Sequence, residues 1–297
     1  MASPQRYVRQ LTEIADRVWV VHHEWMELNV TVVAGERGLA VIDTLGSGAA
    51  AAGLVEDLRS LPYAERGLVA AVNTHEHWDH VLGNATLRGT WPDTALHAHE
   101  EAAARTQEAA ERVKGYFRDD PDDPYGPDVL ETDVLSAETV FSSVGVVDLG
   151  DRVLELMHPG RGHTGGDLVV RIGDVDLVVF GDLVEEAGPP AYGADSFPLE
   201  WAATLDTAIG LTTESTTVVP GHGAVVPRSF VTDQRGDITA VAENIRAAAA
   251  QGLSVEETLR DAEWPFPAEG LEHAVRRGFA QLPAPVTPGS ARQLPLA

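Results

Sequence analysis

Cysteine is absent from this 297-residue chain, and lysine occurs once, at Lys114. The first absence excludes disulfides, thiolate nucleophiles, iron–sulfur clusters and every zinc site built on sulfur. Any metal must then be held by His, Asp or Glu. The scarcity of lysine leaves 21 basic residues against 46 acidic ones, a formal charge of -25. Such a field repels phosphate backbones and anionic headgroups, so nucleic acid and membrane surfaces are excluded as general partners. No apolar run approaches the ~20 residues of a membrane span. The opening MASPQRYVRQLTEIADRVWV also lacks the apolar core of a secretory signal. These absences lead us to expect a soluble cytoplasmic protein. With 44% hydrophobic and 23% charged residues, the chain has ordinary globular proportions and is long enough to bury a core unaided. Nothing in the composition sets the oligomeric state.

Short β-branched runs at 18–21, 30–34 and 39–42, separated by Gly35 and Gly38, read as strands of a meander. An alanine-rich helix is expected at 49–61, stopped by Pro62. Strands follow at 68–73 and 95–98, then a helix at 100–116. Residues 118–128, RDDPDDPYGPD, read as a mobile acidic loop that could cover a site. The second half repeats the style, with strands at 146–149, 153–157, 168–172, 177–180 and 216–219 and a helix at 202–211. Helices dominate 233–280, and 283–297 reads as a Pro-rich flexible tail. The pattern predicts two β-sheets packed together and covered by helices, one domain over 1–282.

Of the 11 histidines, five sit at strand ends beside glycine or acid. His75-x-His77-x-Asp79-His80 places four ligating side chains within six residues, directly after a strand. Alternate residues of an extended stretch share a face, so His75 and His77 converge on one ion, and the following turn can send Asp79 and His80 to a second. Imidazole and carboxylate both suit zinc. Three later strand ends carry one ligating residue each: His163 within a Gly-rich turn, Asp182 after Phe180-Gly181, and His222 between Gly221 and Gly223. Singly, each reads as readily as a structural turn.

Together these motifs resemble the metallo-β-lactamase-fold hydrolase superfamily, and the likeness extends over nearly all of residues 10–265. The resemblance implies a mixed α/β (α+β) four-layer αββα sandwich, here with extra C-terminal helices, and a site at one edge. It implies that His75, His77 and His163 bind a first zinc ion, that Asp79, His80 and His222 bind a second, and that Asp182 bridges them. It also implies a hydroxide bridging two zinc ions that attacks the carbonyl of a small-molecule ester, lactone, thioester or lactam, with Asp79 as the catalytic residue orienting it and passing on its proton. Members with a cysteine ligand are excluded. Flavodiiron oxidases place Glu where His77 stands. The bridging Asp points to the glyoxalase-II-like and lactonase-like branch, with β-lactam cleavage less favoured. A mononuclear iron oxidoreductase resembling persulfide dioxygenases, with iron held by His75, His77, His163 or Asp182, shares the motif. A metal-binding protein without catalysis is the third reading.

Asp43 and Thr164 are candidates to support ligand loops or imidazoles, although Asp43 reads equally as a strand-end turn acid. Trp25 and Met26 form either an apolar clamp over the substrate or ordinary core. His158 is near enough to His163 in sequence to line the pocket. His97 and His99 read as structural or surface residues, not ligands, and Phe197 and Trp201 as anchors of a helix.

Overall fold

A computed structural model describes residues 7–283; of the expected tail, 284–297 lie outside the described residues. In chain order the strands are β1 (Arg9–Ala15), β2 (Val18–His23), β3 (Leu28–Gly35), β4 (Gly38–Ile42), β5 (Leu68–Val72), β6 (Ala95–His99) and β7 (Thr139–Phe141). β8 (Val144–Asp148), β9 (Val153–Met157), β10 (Val169–Ile172), β11 (Leu177–Glu185), β12 (Thr217–His222) and β13 (Val226–Pro227) follow. The helices are α1 (Gly48–Ser60), α2 (Trp78–Val81), α3 (Asn84–Thr90), α4 (Glu100–Asp119), α5 (Gly126–Glu131), α6 (Trp201–Ile209), α7 (Arg228–Gln251), α8 (Val255–Asp261) and α9 (Glu272–Gln281).

Three apolar layers explain why these elements stack as they do. An inner core joins Val20, Val33, Ile42 and Val72 of the first half to Leu154, Leu156, Val170 and Val179 of the second. One outer core packs Leu54, Leu58, Leu87 and Ala102 of α1, α3 and α4 on the first half-sheet. The other packs Trp201, Leu205, Ile238, Ile245 and Val275 of α6, α7 and α9 on the second. Strands buried on both faces therefore read as largely apolar runs: β4 is wholly apolar, while the equally buried β3 carries Asn29 and Thr31 and β11 carries Asp182. The result is a helix–sheet–sheet–helix sandwich with added C-terminal helices, as the sequence led us to expect.

The strands run β7-β6-β5-β4-β3-β12-β11-β10-β9-β8, with β1 beside β2, β2 also on β3, and β13 beside β12. The halves meet where β3 and β12 pair at one registered position, Leu28 opposite His222. β4, β5, β6 and β7 are mutually parallel, and so are β11 and β12. Loops leaving parallel strands gather at their carboxyl ends, which is where open α/β sheets bind ligands.

Several boundaries differ from the sequence reading. β11 runs on to Glu185 instead of ending at 180. The acidic 118–128 stretch is partly helical: α4 continues to Asp119 and α5 begins at Gly126. β1 went unread because its exposed, charged RQLTEIA lacks a clean alternation. Two helix starts are capped locally: Ser47 accepts from the Ala50 amide at α1, and Ser254 and Glu257 form a reciprocal box at α8.

An aromatic cluster fixes the β2–β3 connection. The Trp25 ring stacks on Tyr125 at 4.3 Å and also meets Tyr7 and Trp78. His23 is buried against Tyr7, and among the described residues neither of its ring nitrogens has a hydrogen-bond partner. Burial, with the Arg9 and His22 charges, pushes its imidazole down to about 4. The folded state therefore keeps His23 neutral where an unfolded chain protonates it, near 6.5. Its contribution is complete above that value and is lost as the pH falls toward 4, an effect of about 3 kcal/mol. We predict that His23→Phe reduces the loss of urea stability between about pH 7 and about pH 4 by an amount of that order; an unchanged slope would disprove it.

Candidate metal centre

The HxHxDH stretch leaves β5 at Val72, turns through 73–77, and enters α2, which carries Asp79 and His80. The opposing half-sheet supplies Asp182 from β11, His222 from the end of β12 and His163 from the loop before β10. The pairing of β11 with β12 shifts register on both sides of Gly181 (φ 54°), an irregularity that re-aims the strand beside Asp182. Gly221 is required by close approach: a Cβ there would lie 1.8 Å from Asp182 Oδ1.

Two groups of ligating atoms result, each within 4.8 Å: His75, His77, His163 and Asp182 in one, Asp79, His80 and His222 in the other. Asp182 faces both, with Oδ2 3.6 Å from His75 Nε2 and 3.4 Å from His163 Nε2, and Oδ1 3.2 Å from His80 Nε2. Oδ2 also lies 3.4 Å from His222 Nε2. The Asp79 carboxylate lies 3.4 Å from His222 Nε2 and 3.5 Å from His80 Nε2.

The outward nitrogens decide what the inward ones can do. His163 Nδ1 donates to the Ala191 carbonyl at 2.9 Å, and His222 Nδ1 to the Met26 carbonyl at 2.7 Å. His80 Nδ1 meets Asp43 Oδ2 at 2.9 Å, and His77 Nε2 meets Asp195 Oδ2 at 3.3 Å. Thr74 gives its hydroxyl hydrogen to Asp43, so it accepts from His75 Nδ1 at 3.1 Å. Each imidazole thus has its proton on the outside and, when neutral, a lone pair on the inside. Those lone pairs converge: His77 Nδ1 and His163 Nε2 are 2.8 Å apart, His80 and His222 Nε2 are 3.3 Å apart. His75 Nε2 and Asp182 Oδ1 are buried with no hydrogen-bond partner among the described residues. Facing acceptors repel unless positive charge lies among them, so the donor set fits divalent cations that accept nitrogen and oxygen.

Charge balance leads the same way. Burial opposes protonation of His80 and His222, yet Asp182 and Asp79 hold both well above the ordinary imidazole value. Burial and the neighbouring His77 push His163 down to about 4, and burial with His80 takes His75 well below normal.

Asp43 is no plain turn acid: it sits at φ 65°, accepts from the Thr74 amide and hydroxyl, and reaches His80. Thr164 supports the His163 loop and not an imidazole, since its hydroxyl and amide bind Asp167 while Asp167 also takes the Gly162 amide. An open cavity of about 740 Å³ lies over the two groups. Met26 lines it; Trp25 does not, being stacked behind on Tyr125. His158 also turns away, with its ring on His99 at 4.0 Å and Nδ1 on the Asp167 carbonyl. Trp78, at a non-ligating position inside the HxHxDH stretch, was not read as a pocket residue, nor were Arg112, Val113, Tyr116, Glu185 and Tyr192, which lie on a helix face or at and beyond a strand end with no motif of their own. Burial and the nearby Asp182 push the Glu185 carboxyl up to about 8.

The sequence model of the Metallo-beta-lactamase superfamily matches residues 24–222, which hold all seven converging His and Asp residues. The chain belongs to this superfamily. A metallo-beta-lactamase type 2 of Bacillus cereus is 24% identical over 229 residues, spanning 74% of this chain and 79% of the relative. Among solved structures, a metallo-beta-lactamase from Pontibacter korlensis superposes with a TM-score of 0.63 at 18% identity, covering 78% of this chain and 99% of its own. The sec-alkylsulfatase Pisa1 from Pseudomonas sp. gives 0.73 at 16% identity, over 98% of this chain and 52% of its own. At such identities these structural likenesses speak for the fold alone. No helix among the described residues is long and apolar enough to cross a membrane.

Two substitutions test the geometry. Gly221→Ala forces a methyl into Asp182, and Asp43→Ala frees His80 Nδ1. We predict that each weakens binding of zinc by about 10–100-fold, read by competition with a chromophoric chelator; wild-type affinity in both would refute the arrangement.

Proposed function

We propose that this protein is a hydrolase dependent on two zinc ions, acting on the carbonyl of a small-molecule ester, lactone, thioester or lactam. The observation that carries this reading is the set of five histidines whose outer nitrogens are all committed and whose inner nitrogens converge with two carboxylates. His75, His77 and His163 would hold one ion and Asp79, His80 and His222 the other, with Asp182 shared. The completeness of the second group favours two ions over a single iron.

When bound, such a pair supplies Lewis acidity and a water acidified toward neutrality. The chain's own residues do the rest. Asp79, on the cavity floor and only 6% exposed, orients the attacking water, holds its proton at a carboxylate oxygen and returns it to the leaving group. Met26, Trp78, Val113, Tyr116 and Tyr192 line the cavity with carbon surface that takes the carbon skeleton. Asp182, set between the two groups in a chain without cysteine, supports ester, lactone and thioester cleavage in the glyoxalase-II-like and lactonase-like manner over β-lactam cleavage.

We expect purified protein to contain two zinc ions per chain by elemental analysis, to lose turnover on an ester, lactone, thioester and β-lactam panel after chelation, and to regain it with zinc. Asp79→Asn should lower kcat by about 10²–10⁴-fold, whereas His97→Ala, on β6 away from the cavity, should leave it unchanged. Turnover that survives complete demetallation would overturn the proposal.

A further inference from the structure

His77 is the most exposed of the converging imidazoles, its side chain 21% accessible, and no strand or helix holds it. Its outer nitrogen is met by Asp195, which projects from the 193–199 segment and was marked by no motif. Asp195 Oδ2 accepts from His77 Nε2 at 3.3 Å and from Arg112 Nη2, on α4, at 3.0 Å. The carboxylate is only 12% accessible, and Gly193 leaves room for Oδ1, which would be 2.5 Å from a Cβ there.

The segment is tied down on two sides. Toward the His163 loop, the Phe197 amide donates to the Gly162 carbonyl at 2.7 Å. Toward the C-terminal helices, Arg277 on α9 donates to the Ser196 carbonyl at 2.9 Å, and Arg246 on α7 donates to the Leu199 carbonyl at 2.8 Å. Gln281 of α9 accepts from the Leu199 amide. The Phe197 ring is met by the guanidiniums of Arg161 at 4.4 Å and Arg277 at 5.1 Å. Helices α7 to α9 follow the superfamily match, which ends at 222.

We propose that Asp195 is a positioning residue for the first cation group: it fixes His77 with Nδ1 toward His163, Arg112 keeps it aimed, and the C-terminal helices hold the segment that presents it. A carboxylate on the far nitrogen of a ligating imidazole sets the tautomer, locks the ring and makes the ligand more basic. The inference rests on the reading above that His75, His77, His163 and Asp182 bind a metal.

The test compares the full-length wild type with Asp195→Ala, Asp195→Asn, Asp195→Glu and Arg112→Ala. It reads zinc affinity by chelator competition and the visible spectrum of a single bound Co(II). We expect Asp195→Ala to weaken one of two zinc sites by about 10–100-fold, to leave the other within a few-fold, and to alter the Co(II) spectrum. Asp195→Asn, which keeps shape and an acceptor oxygen but no charge, should fall between, and Asp195→Glu should restore part of the loss. Arg112→Ala should cost less than Asp195→Ala. Asp195→Asn guards against misfolding of the Ala variant. Two wild-type zinc affinities and an unchanged Co(II) spectrum in both Asp195→Ala and Asp195→Asn would overturn this inference alone. A wild type that binds no zinc would overturn the metal reading and this inference with it.

Discussion

Five imidazoles and two carboxylates share one buried seam, and that crowding is tolerable only because each imidazole surrenders its proton outward. The acceptors that take those protons are drawn from across the chain: a strand-end carboxylate at Asp43, a threonine hydroxyl at Thr74, the main-chain carbonyls of Met26 and Ala191, and the Asp195 carboxylate. Removing any one frees a ring to flip or to protonate on the wrong side. Much of the surrounding structure follows from this requirement. Asp43 adopts φ 65° to reach both Thr74 and His80, and Met26 adopts φ 64° while its carbonyl reaches His222. Strained conformations of this kind, of order 1–3 kcal/mol each, persist where packing over-determines them.

The two half-sheets register on the same seam. Leu28 opposite His222 is the pair through which β3 meets β12. Asn29, next along β3, donates to the carbonyls of Pro220 and Gly223 and so clamps the turn that carries His222. The connection between the halves and the placement of His222 are therefore one piece of geometry. Behind it, the Trp25–Tyr125 stack fastens the 24–27 turn to the α4–α5 connection. The wall of the cavity on this side is held by aromatic packing, and its apolar face is presented by Met26.

Much of this was legible in the linear chain because strands buried on both faces read as largely apolar runs, and because the converging His and Asp residues were short-range neighbours of strand ends. The run before Asn73, the glycines around His163 and the Gly-His-Gly at 222 all mark places where a buried strand stops and backbone turns sharply. The acceptors were less legible. Asp43 and Thr164 stood out by position, yet only Asp43 touches an imidazole. Asp195 and Arg112 are separated by 83 residues and lie in a turn-rich segment and on a helix face, where acids and arginines are common. Trp25 and His158 show the converse: proximity in sequence suggested the pocket, and side-chain direction took both elsewhere.

By itself, then, the sequence determined the superfamily, the order of the sandwich layers and which His and Asp side chains converge, because these depend on residue type and short spacing. Only the tertiary structure decided which nitrogen of each histidine faces inward, which carboxylates hold the rings, and which apolar residues wall the cavity. Those outcomes depend on hydrogen-bond partners from segments far apart in the chain, such as His77 with Asp195 and His222 with Met26. No local pattern encodes a contact of that kind. It forms when the two sheets close on each other and the C-terminal helices hold the 193–199 segment in place.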